Sequence, residues 1–380
     1  MIKDKCSSTH PPLPTTTEDD SLIRLRLLRS RKVGPATYRR LIAEHGTATA
    51  ALNALPDMAR AAGIDDYYAC PENVAISELL AGSRVNARLV FQGDPTYPNA
   101  LNDIPDAPIA LWMVGDAAHL TRPMVALIGA RTSSSLGTRM ARKLASELGE
   151  AGYTVVSGLA RGIDTAAHTG ALATGTIAVL AGGVDILYPP QNAELARDIG
   201  TQGLRLSDQP IGLQPRSHHF IARNRIISGL ACATIVVEAA AKSGSLSCAQ
   251  GALDQGRDVF AVPGHPFDAR VAGCNMLIRD GATLVRGAQD IIDQLGDLHN
   301  TSVAPELPLE SSTPSKSQDV KETADLHTSI LDQLAHAPVV EDQLIRSLGV
   351  AATAIAPILM DLELDGQIIR QAGGIIARTT

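Results

Sequence analysis

Five continuous apolar runs recur along the middle of the chain: "MVALIG" (124–129), "YTVVSG" (153–158), "GTIAVLAG" (175–182), "ATIVVEA" (233–239) and "DVFAVPG" (258–264). Each has the length of a strand and lacks the alternation of a half-solvated one, so both of its faces must be covered. Helical stretches separate the runs. Strand–helix alternation of this kind predicts an α/β fold, a doubly wound Rossmann-like parallel sheet with crossover helices on its faces.

Around this core the remaining segments take their places. Residues 1–20 read as a disordered polar tail, without the apolar core of a signal peptide. Residues 21–90 carry a helical pattern with loops marked by Gly34-Pro35, Gly46 and Pro56, which predicts a small helical domain. The α/β domain occupies 91–297. A Pro- and Ser-rich stretch at 298–323 reads as a linker, and 324–380 reads helix–helix–helix–hairpin, the order of a winged helix. No apolar run approaches the roughly 18 residues that would span a bilayer. The five cysteines are scattered without a C-x-x-C pair, which points to reduced thiols and a cytoplasmic setting rather than to disulfides or a metal.

In an open parallel sheet, ligands bind beyond the carboxyl ends of the strands. The residues that follow these strands are Ala130-Arg131-Thr132, then Gly158-Leu159-Ala160-Arg161-Gly162 after Ser157, and Lys242-Ser243-Gly244-Ser245. Small residues let backbone amides approach a ligand, and a helix start turns its positive dipole end toward an anion. If "RNRIISGLA" is a crossover helix beginning at this edge, the strand "ATIVVE" returns the chain to where it left. Arg223, Asn224 and Arg225 then lie beside Lys242. With Arg131 and Arg161, five cations and their Gly- and Ser-rich turns form one rim, a site for a polyanion on a chain whose formal net charge is -7.

Several catalytic readings fail on the residues. The Walker pattern, G-x-G-x-x-G, a G-x-S-x-G elbow and H-E-x-x-H are all absent. Asp164 and His168 lie four apart, too few for a metal site; a capping carboxylate and a packed or surface histidine account for them. His218 and His219 read as loop residues. Aromatics make up only 3% of the chain, so phosphate contacts should outweigh base stacking; Phe220, beside the Arg pair, is a candidate stacking platform, with a buried core position the favoured reading.

In the flanking domains, "RSRKVGPATYRRLIAEHG" (29–46) resembles half of a helix-hairpin-helix, and a structural helical module accounts for it equally well. The helix that would enter a major groove, "TAIAPILMDLELDG", has no Lys or Arg and several carboxylates, so this winged helix reads as a protein-contacting one. Pro357 sits awkwardly within it.

The central segments "GARTSSSLG", "GYTVVSGLARGIDTAAHTGAL", "GGVDILYPPQN", "FIARNRIISGL", "VVEAAAKSGSLSCAQGALDQGRDVFAVPG" and "GCNMLIRDGA" closely resemble the DprA/Smf family of bacterial DNA-processing proteins. The helical N-terminal region and the winged-helix end match its domain layout. The resemblance implies a protein that binds and protects incoming single-stranded DNA in natural transformation, loads the RecA recombinase, acts as a homodimer, and is not an enzyme and needs no cofactor. It implies a DNA-binding set of Arg131, Ser157, Gly158, Arg161, Gly162, Arg223, Asn224, Arg225, Lys242, Ser243, Gly244 and Ser245. The chain departs from the family pattern at Ile221, Leu136 and Cys248, none of which removes a cation. A competing reading is a nucleotide-hydrolysing enzyme of the lysine-decarboxylase-like group. Its P-G-G-x-G-T-x-x-E signature is missing where the chain reads "VEAAAKSGSLSCAQGA".

Overall fold

A computed structural model of the chain describes residues 18–295 continuously, and beyond them 329–334, 339–348, 355, 358–359, 362–363, 367–371 and 375–379. It divides into two compact units at the 301/302 boundary. The segments expected as linker and most of the tail lie outside the described residues.

The first unit opens with four helices, α1 (Glu18–Arg29), α2 (Pro35–His45), α3 (Ala48–Ala61) and α4 (Glu72–Arg84). Gly34 caps α2 and Pro35 is its first residue, where a missing N–H costs nothing. Pro56 is not in a loop: α3 runs through it. Pro56 has no N–H for the Leu52 carbonyl, but Leu52, Leu55 and Ala59 are buried, and that packing holds the helix together. Arg29 forks onto Glu78 at 2.9 and 2.8 Å, and Glu78 also accepts the Trp112 indole N–H at 3.0 Å. The helical layer is thereby tied to the sheet.

That sheet has nine strands: β1 (Arg88–Phe91), β2 (Ala110–Gly115), β3 (Met124–Gly129), β4 (Thr154–Ser157), β5 (Thr176–Val179), β6 (Leu204–Ser207), β7 (Ala233–Glu238), β8 (Asp258–Ala261) and β9 (Thr283–Leu284). Their spatial order is β1-β2-β6-β5-β4-β3-β7-β8-β9. From β6 to β9 all neighbours are parallel. The parallel expectation fails at one edge, where β1 and β2 add antiparallel. Side chains of β3 alternate between two cores: Ala126 and Ile128 enter one, Val125 and Leu127 the other. This two-sided burial is why the strand reads as an unbroken apolar run.

The helices of this layer are α5 (Ser135–Glu150), α6 (Ile163–Ala171), α7 (Ala193–Gln202), α8 (Ser217–Leu230), α9 (Ser245–Asp254), α10 (Ala272–Arg279) and α11 (Ala288–Leu295). The chain winds outward through β3, β4, β5 and β6, then returns to the other side of β3 for β7, β8 and β9. The winding therefore reverses between β3 and β7, where the register also slips between Ile128 and Gly129.

The second unit contains β10 (Val339–Val340), α12 (Glu341–Leu348), β11 (Ile368–Gln371) and β12 (Ile375–Arg378). The hairpin expected from the sequence is there, and β10 adds a third strand in the order β10-β12-β11. Leu344, Ile355, Leu359, Leu362 and Ile376 share its core. Pro357 lies outside the described residues.

Candidate functional site

A cleft of about 1000 Å³ lies at the carboxyl ends of β3 and β7, the switch point at which open α/β sheets bind ligands. Five basic side chains line it, Arg131, Arg216, Arg223, Lys242 and Arg270, against one acidic side chain, Asp164. A site with this balance selects anions.

The floor is made of groups committed to one another. The Arg223 side chain is buried and donates at 2.7 Å to the Gly158 carbonyl and at 2.5 Å to that of Val179. Burial works against its charge, and the nearby Asp164 carboxylate supports it. Asp164 accepts from the amides of Gly158 and Ala160, both at 3.2 Å. Burial pushes its carboxyl up, while Arg223 and these amides pull the other way. Between the two amides Leu159 holds a φ of 56°, a left-handed conformation costing roughly 1–2 kcal/mol for such a residue. Asn192 fixes that turn by donating to the Leu159 carbonyl at 2.9 Å. Asp164 thus locks the turn before α6 instead of capping the helix, whose N-cap is Gly162, and His168 packs beneath with Thr176 at 2.7 Å, the packed one of the two positions the sequence allows.

The rim differs from the expected one because α8 starts earlier. It begins at Ser217, six residues before Arg223, so Arg223 lies about two turns into the helix rather than at its mouth. Phe220 and Asn224, one turn apart, line the cleft. Arg225 points about 100° away from Asn224. It ion-pairs with Asp208 at 2.6 Å and with Asp106 at 3.6 Å. The expectation that Arg223 and Arg225 are open rim cations is corrected: one is an internal clamp, the other a paired flank residue. Ser157 is also internal, buried and donating to the Leu127 carbonyl at 2.6 Å.

The other expected residues meet at the cleft or beside it. Arg131, Lys242, Ser243, Gly244 and Ser245 line the cleft. Ser245 Oγ donates to the Gly129 carbonyl at 2.8 Å, so the Ser243 hydroxyl donates across 3.0 Å to Ser245. Both hydroxyls therefore shape the loop that joins β7 to α9. Gly158 and Arg161 line an adjoining cavity of about 260 Å³. Any side chain at Gly158 would run into the Arg223 guanidinium. Gly162, at φ 79°, presses against the Ala130 and Arg131 carbonyls, where a Cβ has no room.

Phe220 is not core: it is half-buried, lies against Tyr188 with ring centres 5.7 Å apart, and sits under Arg131. His218 and His219 are in the first turn of α8, where His219 Nδ1 accepts the Arg216 amide at 3.1 Å. Burial, then His218 and Arg216, hold His219 below its usual range. Of the departures, Leu136 is exposed at the start of α5, Ile221 lines the cleft, and Cys248 lies under Asn224. Arg216, Tyr188 and Arg270 are site residues that sequence reasoning missed. The strand-end rule, applied to the loops after "GTIAVLAG" and "DVFAVPG", reaches Tyr188 and Arg270 alike, each six residues past its run.

The profile of a family described as DNA recombination-mediator protein A matches residues 88–296. A DprA-like N-terminal HHH domain matches 18–81, and a DprA winged helix domain matches 314–374. The DNA processing protein DprA of Streptococcus pneumoniae is 46% identical over 201 residues, covering 52% of this chain and 71% of that protein. Protein Smf of Escherichia coli is 35% identical over 314 residues, 82% of each chain. Among solved structures, that of DprA from Streptococcus pneumoniae is similar at a TM-score of 0.61 and 34% identity, covering 74% of this chain and 99% of that one. The structure of DNA processing protein A from Helicobacter pylori, a single-stranded DNA-binding protein, is similar at 0.52 and 31% identity, covering 56% and 97%.

Proposed function

The chain belongs to the family of DNA recombination-mediator protein A, and from that premise we propose that it binds single-stranded DNA along the β3–β7 cleft and hands it to the RecA recombinase. The observation that carries the reading is the switch-point cleft with five basic side chains and one buried acidic one. Arg131, Arg216 and Lys242 are exposed there, and Arg161 is exposed beside it. Phosphates would meet these four cations; Arg270, also exposed at the cleft, is already paired with Asp268. Amides at the start of α9 would add the positive end of the helix dipole.

Ser243 and Ser245 hold the loop that presents Lys242, Asn224 offers a side-chain amide, and Gly158 and Gly162 let the strand-end turns fold tightly. Arg223 acts from below by fixing the β4 and β5 ends. Phe220 and Tyr188 supply the stacking surface, which suits unpaired bases and tolerates any sequence. We propose a binding protein rather than an enzyme because Asp164, the one acidic side chain lining the cleft, is engaged inside the fold by the Gly158 and Ala160 amides. A homodimer and a cytoplasmic setting belong to the same reading. No helix among the described residues is long and apolar enough to cross a membrane.

Titration of fluorescent oligothymidylate at several salt concentrations tests it. Four phosphate contacts imply a slope of log affinity against log salt of about -3, with duplex of equal length bound more weakly. A slope near zero, or a preference for duplex, contradicts it. Transfer is read by RecA filament formation on strands already carrying the protein.

A further inference from the structure

One large apolar side chain has no role in the fold or in the cleft's described walls. Phe267 is 94% exposed. It sits in the loop between β8 and α10, which leaves the sheet at the same carboxyl edge as the cleft. Three residues on, Arg270 lines the cleft itself, at most about 11 Å along the chain.

The loop is built rather than slack. Gly264 and Asn275 bond reciprocally, N–H to Oδ1 at 3.1 Å and Nδ2 to carbonyl at 3.0 Å. Asp268 holds the Arg270 guanidinium at 3.0 and 2.8 Å, and the Phe267 amide donates to His265 Nδ1 at 3.3 Å. The His265 and Phe267 rings lie 5.5 Å apart at an angle of 40°. A tied backbone therefore presents an aromatic face to solvent.

We propose that Phe267 is a stacking platform for a nucleobase of the strand whose phosphates lie in the cleft, extending the binding track past β7 to β8. The inference rests on the single-strand reading above. A protein partner fits the loop less well. Of its exposed loop neighbours Pro263, Pro266 and Ala269 are small and His265 and Arg270 polar, while Val262 and Val271 are half-buried, so no second large apolar side chain of the loop is exposed beside the ring. An isolated ring flanked by a histidine and an arginine matches the π-face of a base beside a phosphate.

Phe267→Ala and Phe267→Trp in the full chain test this, with an oligothymidylate and an abasic deoxyribose-phosphate strand of equal length. Stacking predicts that Phe267→Ala binds oligothymidylate about fivefold or more weakly and binds the abasic strand unchanged. Phe267→Trp should restore affinity, and its emission, above that of the buried Trp112, should be quenched by the oligothymidylate. Wild-type affinity in Phe267→Ala, equal losses on both strands, or unquenched emission at saturation would overturn the proposal. So would a change in sedimentation of Phe267→Ala, which would place the ring at a protein contact. Failure of the wild-type chain to bind either strand would instead remove the single-strand reading on which it rests.

Discussion

The Arg131 guanidinium carbon lies 5.0 Å from the centre of the Phe220 ring. The turn after β3 and the first turn of α8 therefore meet across the mouth of the cleft. The ring face holds the cation by its quadrupole and leaves the N–H groups free to meet a phosphate. Tyr188 lies against the ring at 56°, and this aromatic pair lines both the main cleft and the smaller cavity beside Arg161.

Phe220→Leu keeps apolar bulk and removes the π-face. Single-strand affinity should fall about fivefold, with thermal stability little changed because the ring is only half-buried. Anisotropy titration and a melting curve on the same preparation check both halves.

Arg225 and Arg223 should separate binding from stability. Arg225→Gln breaks the pairs with Asp208 and Asp106; we expect lower denaturant resistance with oligothymidylate affinity within twofold of wild type. Arg223→Ala leaves two carbonyls and Asp164 buried without their cation, a loss of about 3–5 kcal/mol. Urea unfolding monitored by circular dichroism measures both.

Glu78 joins two layers through Arg29 and Trp112. Glu78→Ala strands a half-buried guanidinium and an indole N–H, which should cost about 2–4 kcal/mol. Trp112 is the chain's only tryptophan, so its emission reports the loosening directly, with DNA affinity retained.

His168 gives the fold a pH dependence. Thr176 Oγ1 donates to the Val155 carbonyl at 2.9 Å, so His168 Nδ1–H must be the donor to Thr176. Nε2 is buried without a partner among the described residues. Burial, and then Arg223, hold the imidazole down to about 3. The unfolded chain takes up this proton near 6.5 and the folded chain does not until about 3. The resulting stability is therefore full above 6.5 and declines as pH falls through that window. At pH 5 the loss is about 2 kcal/mol. The difference in unfolding free energy between pH 7.5 and pH 5 should be larger in wild type than in His168→Gln by about that amount.

How much of this the sequence made legible depends on burial. Strands β3, β4, β5, β7 and β8 are covered on both faces, and their apolar runs locate them to within a few residues. Strands β1 and β2 lie at the edge of the sheet. β6 is the four-residue "LRLS" with a half-buried Arg205, a pattern too short and polar to stand out. The start of α8 was hidden because "RSHHF" offers neither an apolar stripe nor an N-cap of the usual residue types. That six-residue shift sends Arg223 inward and Arg225 to the flank. Arg131, Arg161 and Lys242 were placed by the strand-end rule alone, since a turn following a buried strand has little freedom in where it points.

The central claim is that exposed cations at the β3–β7 edge hold a single strand by its phosphates. Oligothymidylate affinity of Arg161→Glu, Lys242→Glu and the double variant tests it most directly, with Arg225→Gln as control. Each single reversal should weaken binding roughly tenfold or more and lower the salt slope by about 0.7. The double variant should lose binding at physiological salt while its melting temperature stays close to wild type. Wild-type affinity and an unchanged salt slope in the folded double variant would contradict the account.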